Sequence, residues 1–322
     1  LNKIISKFLQ IGIPLGFGIF LIWFTYNKFT PEQFVELKAY FSNANYGIVV
    51  LSVLLSVLSH FLRAYRWNFM LQPLGYKPKL ANNFMAISIA YLMNIFIPKS
   101  GEVSRGLIMD KYEKIPFEKG FGSIISERIV DLIFLMIFTF TALFLKFDVL
   151  YEYIASSIPK KLMYAAGIGF IVFSIALIFL LKFKTFTIPA KIKNFIDGLK
   201  DGVLSIVKMK KKKAFILHSL FIWGLYVASF YTATHALIET SSIPLSTIII
   251  AFVVGSFTFA FTNSGFGTYP AAIAGILVLF AVPFTVGTAF GWIVWISNIT
   301  SIVVIGVISL ITLPLYNKNK LA

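Results

Sequence analysis

Apolar residues recur along this chain in blocks, and the block lengths fall into two classes. Six blocks, at 8–26, 46–61, 123–145, 162–181, 214–237 and 289–313, reach or approach the roughly 17–25 residues that a helix needs to cross a bilayer. The second is short unless it continues past Arg63 toward Trp67, whose polar ends can reach the interface. Two further blocks, 84–97 and 248–261, have only 14 residues each, a length suited to a re-entrant leg. Each gives way to turn chemistry, Pro98-Lys99-Ser100-Gly101 and Asn263-Ser264-Gly265-Phe266-Gly267, and a second apolar leg follows. Pro98 removes a backbone donor and disfavours helix at Ile97, while Gly101 permits a turn, so a break is expected there. The pattern predicts an all-α polytopic membrane protein with six full spans and two re-entrant helical hairpins, at about 80–115 and 248–285.

Composition agrees with this pattern. Of 322 residues, 58% are hydrophobic and only 13% charged, about half the charge of a soluble domain. With no cysteine, disulfides, thiol chemistry and Cys-based metal sites are excluded, and His60, His218 and His235 are too scattered for a zinc signature. No metal and no cofactor is expected. The segment 11–26 lacks a small-residue cleavage motif and reads as a first span.

The net charge of +16 is informative once its positions are considered. With the N-terminus inside and both hairpins returning to the side they came from, cytoplasmic segments hold twenty-one Lys/Arg, ten of them lysines between Lys182 and Lys213, and external segments hold five. Lys99, Arg105 and Arg128 are left within the membrane. This meets the positive-inside rule, and a full crossing by the first hairpin would put the ten-lysine segment outside. Both termini are therefore expected in the cytoplasm. A shift of 164 residues lays Ser100-Gly101 on Ser264-Gly265 and matches spans to spans with little residue identity. Two inverted repeats, 1–160 and 161–322, are the reading that follows. The segment 188–207 has Ile192, Phe195, Leu199, Val203 and Ile206 on one face and lysines on the other. It reads either as an amphipathic helix on the cytoplasmic leaflet or as a solvated linker. The stretch 30–41 reads as an external counterpart, and nucleic acid is a poor partner because the basic cluster has no aromatic interleaving.

Four constellations carry candidate chemistry. Asn94, Lys99, Ser100, Gly101, Glu102 and Arg105 surround the first break, where a helix N-terminus with cations nearby suits an anionic headgroup. Glu102 and Arg105, at i and i+3, could equally neutralise each other. Glu127, Arg128 and Asp131 fall on one side of a span, as a self-satisfied buried cluster or as substrate contacts. His60, Arg63 and Trp67 share a helical face with Arg66 further round, an arrangement that snorkelling and an aromatic belt largely explain; Arg63 is the member retained as a site residue. Asn263, Ser264, Gly265, Gly267 and Tyr269 form a polar, uncharged second break, read as close helix packing or as a hydroxyl-lined path. His218 and His235 are expected to bridge helices by hydrogen bonds.

Arg63-x-x-Arg66-Trp67, Asn94-x-x-x-Pro98-x-x-Gly101-Glu102-x-x-Arg105 and Glu127-Arg128-x-x-Asp131, in this order, resemble the flippase-like membrane family typified by the transmembrane region of lysylphosphatidylglycerol synthase. The resemblance implies a multispanning protein of the bacterial inner membrane that moves lipids or lipid-linked headgroups between leaflets. Two departures stand out. Pro270 occupies a position where the family usually has Glu, which leaves the first hairpin carrying the charge. The sequence ends at Ala322 soon after its last span, so lysyl-lipid synthesis is not expected of it.

The function expected is a lipid translocase, with membrane lipids as partners and an anionic headgroup compensated by Lys99, Arg105, Arg128 and Arg63. It would not be an enzyme. No Gly-x-x-x-x-Gly-Lys-Ser/Thr motif is present, so transport would be passive, gradient-driven or powered by a partner. The alternatives are a membrane-embedded transferase acting on a lipid phosphate with Glu127 or Asp131 as base, and a non-transporting subunit of a separate lipid-modifying enzyme.

Overall fold

Serines punctuate the second apolar block at Ser52, Ser56 and Ser59, and all three are buried. Ser52 lies where this helix closes against another long one, since small polar residues let two backbones approach. The computed structural model describes residues 16, 18–27, 29–149 and 190–318, and the regular structure among them is helical throughout. The block 162–181 and, within the block 8–26, residues 8–15 and 17 lie outside the described residues.

After a helical stretch at 18–26, α1 (Pro31–Asn43) opens on a reciprocal cap between Thr30 and Gln33. The next helix, α2 (Tyr46–Leu71), extends well past the apolar block and carries Arg63, Arg66 and Trp67 inside it. The first break lies between α3 (Leu80–Phe96) and α4 (Ser100–Glu113), with Lys99 in the left-handed region at φ 63°. Gly101 is required there, since a Cβ would collide with the Ala90 carbonyl. The two legs pack on each other. Their ends meet where the Lys79 amide donates to Glu113 Oε1 at 3.1 Å and Asn82 Nδ2 donates to the same oxygen. The chain thus returns to the end from which it started.

Next come α5 (Phe117–Leu145), α6 (Ala190–Lys208), α7 (Lys212–Thr234) and the single turn α8 (Ile238–Ser241). The second broken pair is α9 (Leu245–Phe261) and α10 (Thr268–Val278), followed by α11 (Phe284–Tyr316). This second pair is shorter than the expected 248–285, because Ala281 turns at φ 61° and α11 has begun by Phe284. Among the described residues, four helical segments, Tyr46–Leu74, Phe117–Leu145, Lys212–Thr234 and Phe284–Tyr316, are long and apolar enough to cross a membrane. Their outer faces leave large apolar side chains exposed, Phe140 and Phe144 on α5 and Ile308 and Ile311 on α11 among them, as lipid contact requires.

Packing is reciprocal. The antiparallel pair α2 and α7 is tied by Ser52 Oγ to the Ser229 carbonyl and Ser229 Oγ to the Ser52 carbonyl, both 2.8 Å. Leg α3 packs on α11 and leg α9 on α5, while α4 lies against α5 and α10 against α11. The amphipathic α6 is neither a free linker nor an isolated surface helix, for it docks on α5 where Gly122 meets Gly202 and Ser126 Oγ donates to the Val203 carbonyl at 3.0 Å. Helix α1 packs on α11, with Leu37 buried.

Candidate functional site

Three helices deliver five charged side chains to one place. Arg63 and Arg66 come from α2, Arg105 from α4, and Glu127 and Asp131 from α5, where i, i+4 spacing stacks the two carboxylates on one face. Arg63 Nε donates to Glu127 Oε1 at 2.5 Å, and Arg63 Nη2 donates to Asp131 Oδ2. Arg66 Nη2 reaches Asp131 Oδ1 at 3.0 Å and Arg66 Nη1 reaches Ser219 Oγ at 2.9 Å. Arg105 Nη2 donates to Glu127 Oε2 at 2.8 Å, and its guanidinium lies 3.5 Å from the centre of the Trp67 ring. Trp67 Nε1 in turn donates to Ser123 Oγ at 2.9 Å. Glu127 and Arg66 have no exposed surface, and Arg63 and Arg105 keep only a few per cent. Charges withdrawn this far from water persist only when paired and hydrogen-bonded, which this network provides.

A second, looser tier lies beside it. Arg128, between Glu127 and Asp131 on α5, lines the same cavity as Asp131. Its Nε stands 3.6 Å from Glu102 Oε1, and the two side chains are 42% and 20% exposed. Asn94 Nδ2 reaches Glu102 Oε2 at 3.4 Å. Glu102 and Arg105, which at i and i+3 could have neutralised each other, do not pair, because Arg105 has turned to Glu127. The amides of Ser100 and Gly101 are occupied as well, by the Ile97 carbonyl at 3.1 Å and Asn94 Oδ1 at 2.8 Å. The cations at this break are therefore better placed to meet an anion than its first two backbone donors.

The tips of the two broken pairs touch. Lys99 Nζ, on an exposed side chain, donates to the Ala260 carbonyl at 2.8 Å, Asn263 Nδ2 to the Ile95 carbonyl at 3.2 Å, and Ser264 Oγ to the Asn94 carbonyl at 3.4 Å. Gly265 and Gly267 adopt φ 73° and 66°, and Gly267 sits against the backbone of Gly18. Tyr269 is buried with its ring against Gly255 and Phe259.

Between these elements lies a cavity of about 470 Å³. Its charged wall is Arg63, Lys99, Glu102, Arg128 and Asp131, all from the first half of the chain. Its opposite wall is aromatic and hydroxylic, with Trp223, Tyr226, Phe252, Ser256 and Tyr269 from the second half. Asn94 and Ser264 join the lining, whereas Ser100, Gly101, Arg105, Glu127, Asn263, Gly265 and Gly267 stand behind it.

Sequence reasoning missed Arg66 and Trp67 as parts of this centre, having assigned them to the interface. Both are fully buried. The spacing Arg63-x-x-Arg66-Trp67 was the available signal, since two arginines one turn apart in an apolar helix need carboxylates nearby. Tyr226, whose hydroxyl accepts from Arg63 Nη1 at 3.1 Å, carried no such signal. The histidines do not bridge helices by hydrogen bonds. His218 Nδ1 meets the Ala214 carbonyl and His235 Nδ1 the Tyr231 carbonyl, each within its own turn of chain, and His218 reaches α2 by ring contacts with Tyr65 and Phe69. Among the described residues no group of His, Asp and Glu is assembled to hold a metal ion.

A helical chain with several membrane-length apolar segments and a charged centre enclosed among them is a polytopic membrane protein. It belongs to the family described as the lysylphosphatidylglycerol synthase TM region, which matches residues 10–316. It is similar to a UPF0104 membrane protein of Methanocaldococcus jannaschii, 29% identical over 100 residues covering 30% of each chain. It is also similar to the glycosyltransferase AglD of Haloferax volcanii, 29% identical over 99 residues covering 30% of this chain and 16% of that one. The matches thus span less than a third of either curated relative. No solved structure matches.

Proposed function

We propose that the protein is a lipid translocase that passes a phosphate-bearing headgroup between leaflets through the cavity between its two halves. The observation that carries this reading is the cavity itself, with a cationic wall from one half facing an aromatic and hydroxylic wall from the other. Arg128 and Lys99 meet the phosphate, Arg63 lends charge from the same wall, paired with Asp131, and the acyl chains stay in the bilayer. Asn94, Ser264 and Tyr269 line the path; Ser100, Gly101, Arg105, Glu127, Asn263, Gly265 and Gly267 hold its walls in place.

In this reading the membrane is crossed six times, and α3–α4 and α9–α10 are re-entrant hairpins of two inverted repeats. The reciprocal packing of each hairpin's first leg on the long helix of the other half supports it. The membrane is the cytoplasmic one, with both termini on the lysine-rich side. A lipid-modifying enzyme on a separate chain would supply the substrate.

The main rival, a transferase with Glu127 or Asp131 as base, is disfavoured by the ion pairs. Glu127 is enclosed by Arg63, Arg66 and Arg105, and a carboxylate so held is a poor proton acceptor. Reconstitution tests the proposal. Purified protein in liposomes carrying a fluorescent phospholipid is expected to expose inner-leaflet dye to a membrane-impermeant reductant. R128Q is expected to lose that exchange while remaining folded. Wild-type liposomes no faster than protein-free ones would overturn the proposal and favour an accessory subunit.

A further inference from the structure

The two tiers of charge differ in how firmly they are held, and the difference has a pattern. Arg128–Glu102, at 3.6 Å, is the longest ion pair among the described residues, and both partners line the cavity. The hydrogen bond from Asn94 to Glu102 is also at the limit of reach, 3.4 Å. Behind this pair, Arg105 uses Nη2 on Glu127, yet its Nε is buried with no hydrogen-bond partner. A small void of about 10 Å³ is lined by Asn94, Glu102, Arg105 and Arg128 together. Glu102 and Arg105 are i and i+3 on α4, a spacing at which a carboxylate and a guanidinium meet without moving the backbone.

Resting on the translocase reading, we infer that Glu102 is an exchangeable counter-ion. A phosphate oxyanion entering the cavity takes Arg128 from it, and the displaced carboxylate is received by the free Nε–H of Arg105. The exchange leaves no charge stranded. Ejecting Glu102 with nowhere to go would leave a partly buried carboxylate unpaired, a heavy penalty, whereas Arg105 Nε is a donor whose lack of a partner is itself unfavourable. The incoming phosphodiester carries the same single negative charge as the carboxylate it replaces and is held by Arg128 through charge-assisted hydrogen bonds, with Lys99 on the same wall. When the phosphate leaves, Glu102 swings back and competes against its return. Glu102 is thus a positioning residue that keeps the site from holding its cargo too tightly, a requirement for any site that must release what it binds.

The same ligand chemistry is offered by a lipid headgroup and by free phosphate, so the test uses both. Binding of dihexanoyl phosphatidylglycerol and of inorganic phosphate to the purified full chain is measured by calorimetry for wild type, E102Q and R128Q, with thermal unfolding as the check on folding. Removing the competitor in E102Q is expected to tighten binding by about tenfold, one pair's worth of discrimination, and R128Q is expected to lose it. Tightening toward both probes places recognition in the phosphate itself, and tightening toward the lipid alone assigns it to the headgroup; either supports the exchange. Unchanged or weaker binding of both probes in E102Q overturns it. Should E102Q not yield folded protein, E102A carries the same expectation. In liposomes E102Q is further expected to lower the half-saturating lipid concentration and slow the maximal rate, a split that a purely structural role would not produce. Tightening in E102Q without leaflet exchange by wild type would retain the exchange of counter-ions and remove the translocase; exchange by wild type with unaltered E102Q binding would do the reverse.

Discussion

At the scale of single residues, neighbouring arginines have opposite duties. Arg66 is wholly buried, anchored on Asp131 and Ser219, with its guanidinium near the Phe215 ring. Arg128 stands 42% exposed on a long pair to Glu102. Removing one partner of a buried pair strands the other, so R66A or E127Q is expected to lower unfolding stability by about 3–5 kcal/mol. R128Q is expected to cost no more than about 1 kcal/mol, as an exposed pair does. Denaturation of the purified variants checks both values, and equal losses would contradict the division into two tiers. Arg63, Arg105, Glu127 and Asp131 stood out as candidates in the sequence; which charges would pair was not legible. Local spacing favours Glu102 with Arg105, yet Arg105 finds Glu127 twenty-two positions on, because tertiary packing of α4 on α5 brings that carboxylate closer to its buried head. Arg66 and Trp67 were misassigned for a related reason: continuation of the second span toward Trp67 was expected, but nothing in the sequence showed that this end would be buried among other helices as far as Leu71.

At the scale of elements, both breaks could be read in advance from Pro98 with Gly101 and from Gly265 with Gly267, because few other residues tolerate such backbone. Gly101→Leu is expected to separate α3 from α4, since even a Cβ meets the Ala90 carbonyl; amide exchange across 80–113 should rise severalfold. The docking of α6 was not legible. Its apolar face suggested a membrane surface, while the contact depends on Gly122 and Gly202, ordinary glycines in the sequence whose absent side chains let the two helices touch. Gly202→Val is accordingly expected to release α6, and faster proteolysis after Lys200 or Lys208 would report it; unaltered cleavage would count against the docking.

At the scale of the whole molecule, the recurrence of long helix, broken pair and long helix was visible in hydropathy and spacing alone, although the two halves share little residue identity. Which side chains would face Arg63 across the cavity was not legible, because they lie more than a hundred positions away, Tyr226 for example. The lack of native cysteine makes the molecule open to direct tests. K114C and K212C are expected to label from the cytoplasmic side and S42C from the opposite side; label reaching K114C from outside would mean that the first hairpin crosses. The most direct measurement of the central claim uses Ser256, which lines the cavity from α9 and bonds only within its own helix. S256C in liposomes is expected to exchange lipid as wild type does, to react with a bulky water-soluble thiol reagent, and to stop exchanging once modified. Modified protein that moves lipid undiminished would show that headgroups do not travel through this cavity.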